Sequence, residues 1–235
     1  MQTVENIRNQ LVNLYNSREF VRDESGQNHI DCVELIGAQF IADEDVIFGK
    51  INQDYINREI SWYESQSLNV NDIPGDIPKI WQRVATEDGY INSNYGWCIW
   101  SPDNYSQYDN VLQELSSNQA TRRGQMIYTR PDMWIDFNYN GKSDFICTTA
   151  AQYFIRHNKL IVYVTMRSND AWAGYRNDLA WHKYVQHKLY DDLKEIYPNL
   201  EKGDIIWNAG SLHIYERQFY LLEHYSKTGE ITTKK

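Results

Sequence analysis

Hydrophobic periodicity changes character partway along this chain of 235 residues, and that change restricts the fold more than any other feature. Early on, apolar residues recur at helical spacing: Val4, Ile7, Leu11 and Leu14, then Tyr55, Ile56, Trp62 and Tyr63, then Tyr105, Tyr108, Val111, Leu112 and Leu115. Residues 31–41 alternate and predict a strand. From residue 125 onward β-rich segments dominate, at 125–130, 145–156, 160–167 and 203–215, and Asn138-Tyr139-Asn140-Gly141 reads as a hairpin turn. A long helix interrupts them, with Trp181, Tyr184, Val185, Leu189 and Leu193 on its apolar side. Helices and strands segregated in this way predict an α+β fold, a largely β sheet flanked by helices. No repeat, low-complexity tract or linker divides the chain. Two of its five prolines, in Asp72-Ile73-Pro74-Gly75-Asp76-Ile77-Pro78, mark a turn rather than a hinge, so residues 1–235 are expected to form a single domain.

Charge narrows the function. The formal net charge of −9, from 23 Lys and Arg against 32 Asp and Glu, leaves no excess basic charge for a broad nucleic-acid surface, and DNA binding is not expected. A few converging arginines could still hold one phosphate. The 18 Tyr and 8 Trp supply ring faces and polar edges suited to a planar substrate. Cys32, Cys98 and Cys147 lack metal-ligand spacing, and an odd number of cysteines without a signal segment fits free thiols in a reducing cytoplasm. No apolar run approaches the roughly 20 residues that span a bilayer, so no membrane association is expected.

Candidate chemistry begins with Cys147 in Asp144-Phe145-Ile146-Cys147-Thr148-Thr149. Alone it reads as a small buried hydrophobe, because a reactive thiol needs an electropositive neighbourhood. Its company is distinctive: Arg167-Ser168-Asn169-Asp170-Ala171-Trp172-Ala173-Gly174, then Tyr175-Arg176-Asn177-Asp178, then Leu212-His213-Ile214-Tyr215, with Arg122-Arg123 upstream. Arg58-Glu59-Ile60-Ser61-Trp62, Ile80-Trp81 and Tyr95-Gly96 precede them. Each also has a plain structural reading: Arg122-Arg123 an exposed turn, His213 and Tyr215 a half-buried strand pair, Asp170 a strand-end cap, Glu59 an acid at the edge of an aromatic helical face.

Together, in this order and spacing, these segments resemble the thymidylate synthase family over about residues 6–229. Within it, Glu87-Asp88-Gly89-Tyr90-Ile91-Asn92-Ser93-Asn94-Tyr95-Gly96-Trp97 and Arg122-Arg123-Gly124-Gln125-Met126-Ile127-Tyr128-Thr129-Arg130-Pro131 look like the phage-type hydroxymethylase branch. The resemblance implies an antiparallel or mixed sheet whose faces form a homodimer interface. It also implies a one-carbon transfer from 5,10-methylenetetrahydrofolate to C5 of a pyrimidine nucleotide, with no metal.

Cys147 would be the nucleophile at C6, with Arg167 as the nearby cation, and Glu59 the proton-relay acid. Tyr95, Trp81 and Trp97 would line the reacting region, with Tyr95 catalytic, and water access there would decide between a hydroxymethyl and a methyl product. Phosphate would be held by Arg167 and Ser168, and by Arg122 and Arg123 of the dimer partner. His213 and Tyr215 would meet the sugar hydroxyl. Asp170, with Trp81 and Gly174, would serve the folate, because a carboxylate accepts the pterin's adjacent N–H groups. Arg22 or a neighbour would belong to an N-terminal phosphate loop.

The base reader carries the substrate assignment. The synthase pattern places Asn four residues after the motif glycine, and here that residue is Asp178, with Asn177 beside it. Asn suits uracil; a carboxyl accepts from the N4 amine of cytosine, so the nucleotide is expected to be dCMP. The product would serve the synthesis of modified phage DNA, alongside other nucleotide-biosynthesis enzymes. Ile146-Cys147-Thr148 replaces Pro-Cys-His, Arg176-Asn177-Asp178 replaces Pro-Phe-Asn, and the tail from Lys227 lacks the apolar end that closes over folate in the synthase. Use of dUMP by a synthase or hydroxymethylase, use of CMP, and a silent nucleotide- or RNA-binding relative are the alternatives. Asp178 weighs against uracil, and the acidic charge weighs against RNA.

Overall fold

The structure, a computed structural model, describes residues 1–23 and 30–234. The strands β1 (Val21–Asp23), β2 (Ile30–Ile41), β3 (Gln125–Ile127), β4 (Thr148–Arg156), β5 (Lys159–Asp170) and β6 (Glu201–Tyr215) form a six-stranded sheet in the order β1-β2-β6-β5-β4-β3. With the helices named below this is the α+β class that periodicity predicts. The described residues group into two compact units, one comprising Met1–Ile51, Tyr163–Tyr184 and Asp204–Lys235, the other Asn52–Val162 and Val185–Gly203.

In the first unit, α1 (Val4–Asn16) starts at a capping box in which Thr3 and Asn6 satisfy each other's backbone donors. It buries Val4, Ile7, Leu11 and Val12. Arg8 on the same face is also buried, and forks onto Glu44 at 2.8 and 2.6 Å, so its charge stays paired. Antiparallel pairing of β2 with β6 sets Glu34 opposite His213 and Ile36 opposite Ser211. The helix α7 (Gly174–Leu193), which belongs to this unit as far as Tyr184, follows the end of β5 after three residues, and α8 (Phe219–Thr228) is the last helix.

In the second unit, α2 (Gln53–Ser65) carries Glu59 on its buried face with Ile56, Trp62 and Tyr63. The short α3 (Lys79–Val84), α4 (Tyr95–Trp100), α5 (Gln107–Ser117) and α6 (Met133–Asp136) follow. Gly96 lets α4 approach α2, since a β-carbon there would stand 1.8 Å from the Tyr63 carbonyl oxygen. Gly96→Ala is therefore expected to cost about 3 kcal/mol or more through overpacking against backbone. Urea unfolding would register it as a lower midpoint at unchanged slope.

Three expectations need correction. Asn138–Gly141 is no hairpin: Tyr139–Gly141 is a 3₁₀ turn between α6 and β4. The hairpin lies at His157 and Asn158, whose φ of 51° and 61° give the type I′ turn that matches strand twist. Its signal was weak because neither residue is glycine. The strand expected over 125–130 stops at Ile127, and Cys147 precedes β4 rather than lying within it. Residues 174–178 are the opening of α7. Among the described residues, no helix is long and apolar enough to cross a membrane.

Candidate active site

Of the three cysteines, Cys147 is the one that is not buried. It is half-buried at a bend directly before β4, with Sγ 3.9 Å from the Phe145 carbonyl oxygen. Cys32 and Cys98 are buried, and burial pushes the Cys98 thiol up to about 12, which leaves it protonated and inert. This division agrees with Cys147 as the candidate nucleophile.

Glu59 is 6% exposed on α2. The Tyr55 hydroxyl, one helical turn earlier, donates to its Oε1. Trp81 Nε1 on α3 donates to Tyr55 Oη at 2.9 Å and reaches Glu59 Oε1 at 3.3 Å. Burial raises the Glu59 carboxyl to about 7, against the lowering pull of hydrogen bonds from Tyr55, Trp81 and Tyr63. A carboxyl poised there can both hold and release a proton at neutral pH. Tyr95 belongs to the same aromatic cluster, stacked on Tyr63 at 5.3 Å with its edge contact to Tyr128 at 5.2 Å. Trp81 packs edge-on against Trp62, so its indole donates to the relay from a supported position. Trp97 lies under the Arg130 guanidinium, 5.8 Å from its ring centroid.

Arg122 and Arg123 are exposed just ahead of β3. Arg123 pairs with Glu114 at 3.0 Å, and Glu114 sits below the usual carboxylate range because Thr121 and then Arg123 donate to it. Both arginines stay at the surface of this chain.

The first unit holds the second group of candidates. Arg167, exposed, and Ser168, half-buried, lie near the end of β5. Asp170 ends that strand and accepts from the backbone N–H groups of Trp172 at 3.0 Å and Ala173 at 3.3 Å. This is the strand-end cap, and each oxygen keeps a further lone pair for a ligand donor. Gly174 then starts α7, and Asp178 falls one turn later on the same side, its Oδ2 3.7 Å from where a Gly174 β-carbon would stand. Asn177 is half-buried, and its Oδ1 has no hydrogen-bond partner among the described residues.

His213 and Tyr215 project from the same side of β6 with ring centroids 4.9 Å apart. The Ser211 hydroxyl donates to Glu34, so its lone pairs are left for His213 Nδ1 at 3.2 Å. That contact fits an Nδ1–H imidazole whose other nitrogen is an acceptor. The Ala171 N–H donates to the His213 carbonyl at 2.7 Å, tying this strand to the end of β5.

Arg22 lies on β1 and reaches Asp31 at 3.4 Å; its neighbours 24–29, the other candidates for the phosphate loop, lie outside the described residues. Among the described residues no cluster of His, Cys, Asp and Glu could hold a metal ion. Sequence reading passed over Tyr55, Ser211 and Asn169. Tyr55 carried a usable signal, four residues before Glu59 on one helical face; Ser211 and Asn169 depend on side-chain approach that spacing does not report.

The family model described as thymidylate synthase matches residues 46–230. The deoxycytidylate 5-hydroxymethyltransferases of Enterobacteria phages T6 and T4 are 55% and 54% identical, each over 97% of this chain and 92% of the relative. A thymidylate synthase of Francisella tularensis is 26% identical over 71% of this chain and 62% of its own length. Among solved structures, thermostable thymidylate synthase A from Bacillus subtilis superposes with a TM-score of 0.71, covering 96% of this chain and 84% of that one at 20% identity. The last likeness speaks to the fold alone.

Proposed function

We propose that this chain, which belongs to the thymidylate synthase family, transfers a hydroxymethyl group to C5 of dCMP. The products are 5-hydroxymethyl-dCMP and tetrahydrofolate. The observation that carries this reading is 55% identity, over almost the whole chain, to a phage enzyme named deoxycytidylate 5-hydroxymethyltransferase. Asp178, in place of the synthase pattern's Asn, agrees with cytosine as the base. Modified nucleotides for phage DNA are the use that such a product would have.

Bound 5,10-methylenetetrahydrofolate would supply the one-carbon unit. In this reading the Cys147 thiolate adds to C6 of the pyrimidine and so makes C5 nucleophilic; it leaves again once the new C5–carbon bond is in place. Water, rather than hydride, completes the transferred carbon. Glu59, with Tyr55 and Trp81 on its Oε1, holds and moves a proton for the base, and Tyr95 supports that aromatic wall. Arg167 and Ser168 bind phosphate, joined by Arg122 and Arg123 from the second subunit of a homodimer. The exposure of both arginines in one chain fits such a loan.

His213 and Tyr215 meet the sugar hydroxyl; an acceptor Nε2 suits a hydroxyl that donates. Asp178 accepts from N4 of the base, with Asn177 beside it. Asp170 has the donor-seeking carboxylate that a pterin ring needs, and Trp81 and Gly174 complete the folate-binding set. The family match runs from 46 to 230 through both compact units, which supports reading them as a single catalytic domain.

The test is to incubate the protein with methylenetetrahydrofolate and each of dCMP, dUMP and CMP, and to weigh the products. Mass gain by CH₂O on dCMP is expected; a methylated dUMP product would overturn the reading in favour of a synthase. Asp178→Asn should then lower the preference for dCMP over dUMP roughly tenfold or more, the cost of one mispaired buried polar group. If Asn177→Ala moves the ratio and Asp178→Asn does not, Asn177 reads the base instead.

A further inference from the structure

We infer that Asn169 is a positioning residue for base selection, acting through Asp178; this rests on the reading of Asp178 given above. Asn169 lies in β5, one residue before the Asp170 cap, and is 2% exposed. Its Nδ2 donates to Asp178 Oδ2 at 2.8 Å, joining the end of β5 to the second turn of α7. Only one amide orientation allows this, because the flipped side chain would set two acceptors face to face.

One carboxylate oxygen of Asp178 is thereby held, and the carboxyl plane cannot rotate freely about its last bond. A carboxylate so held presents its second oxygen in one direction, as selection between an exocyclic amine and a carbonyl requires. Gly174 keeps the arrangement open. A β-carbon there would crowd Asn169 Nδ2 at 3.2 Å and lie 3.7 Å from Asp178 Oδ2.

A second observation separates this from a merely structural asparagine. Asn169 Oδ1 is buried without a hydrogen-bond partner among the described residues. Buried structural amides are normally paired at both ends, and one left half-paired needs another reason for its place. Holding Asp178 supplies it.

The experiment measures kcat/KM for dCMP and dUMP in Asn169→Ala, Asp178→Asn and the double variant, with Asn169→Ser as a second, smaller change that retains a donor. Asn169→Ala is expected to lower the dCMP:dUMP ratio by roughly tenfold, with KM for the folate unchanged. In the Asp178→Asn background the same substitution should move the ratio by less than about twofold, the non-additivity of residues acting through one contact. Asn169→Ser should recover part of the preference.

A ratio untouched by Asn169→Ala and Asn169→Ser, while Asp178→Asn shifts it, overturns this inference and leaves the proposed function standing. Equal losses on both nucleotides, or an undiminished shift in the double variant, overturn it too. A ratio that Asp178→Asn itself leaves unmoved overturns both readings.

Discussion

Cys147→Ser is expected to lower kcat on dCMP by roughly 10⁴-fold or more, the size of loss seen when a covalent nucleophile is removed. The affinity for dCMP should stay within about threefold, because serine changes one atom and the groups assigned to phosphate, sugar and base are elsewhere in the chain. Serine cannot substitute, since its hydroxyl does not ionise near neutral pH and a thiolate does so readily in the right surroundings. Quenched-flow or steady-state turnover, paired with equilibrium titration of dCMP, separates the two effects. Substantial hydroxymethylation by the variant would remove Cys147 from the mechanism. Cys32→Ser and Cys98→Ser should keep activity, as both thiols are buried and the Cys98 thiol stays protonated.

Glu59→Gln carries the second large effect, and it runs in opposite directions for activity and stability. Loss of a positioned proton donor and acceptor should lower kcat by about 10²–10⁴-fold. A limb near pH 7 in the wild-type profile of kcat/KM should disappear with it, since burial places the Glu59 carboxyl at about 7.

For stability, the folded protein binds this proton more tightly than the unfolded chain, whose carboxyl titrates near its ordinary value. Between those two values the folded state holds more protons, so stability declines as pH rises, and above 7 the buried carboxylate is a full burden. Glutamine carries no such burden and can still accept from Tyr55 and Trp81. The variant should therefore be more stable than wild type above pH 7, by up to about 3 kcal/mol, and equal to it near pH 4. Denaturant melts of both proteins at pH 5 and pH 8 measure the difference. A variant equally active, or one whose stability gain does not grow with pH, would show that Glu59 is not the buried, proton-holding group described.

Much of this protein is legible in the order of its residues. Helical spacing from Val4 to Leu14 and from Tyr55 to Tyr63, and alternation over 31–41, specify elements because burial of one face is the dominant local demand on a chain. The motifs from Glu59 to Tyr215 identify the family because residue type and separation survive without any knowledge of packing. The proposal of Cys147 as nucleophile came from its neighbours in sequence.

Tertiary structure decided what depends on approach between distant segments. Glu59 becomes a neutral-pH acid because burial removes its water and outweighs the lowering effect of the hydrogen bonds from Tyr55 and Trp81, and desolvation has no signature in a linear pattern. The hairpin sits at His157 and Asn158 rather than at Asn138–Gly141 because positive φ at two consecutive residues was set by strand pairing, not by glycine. Residues 174–178 form the start of α7, so Asp178 rides on a rigid helix, held by Asn169 from the end of β5. That hydrogen bond joins residues nine apart in sequence, with a strand end and a helix start brought edge to edge. Its length and direction exist only once both elements are packed.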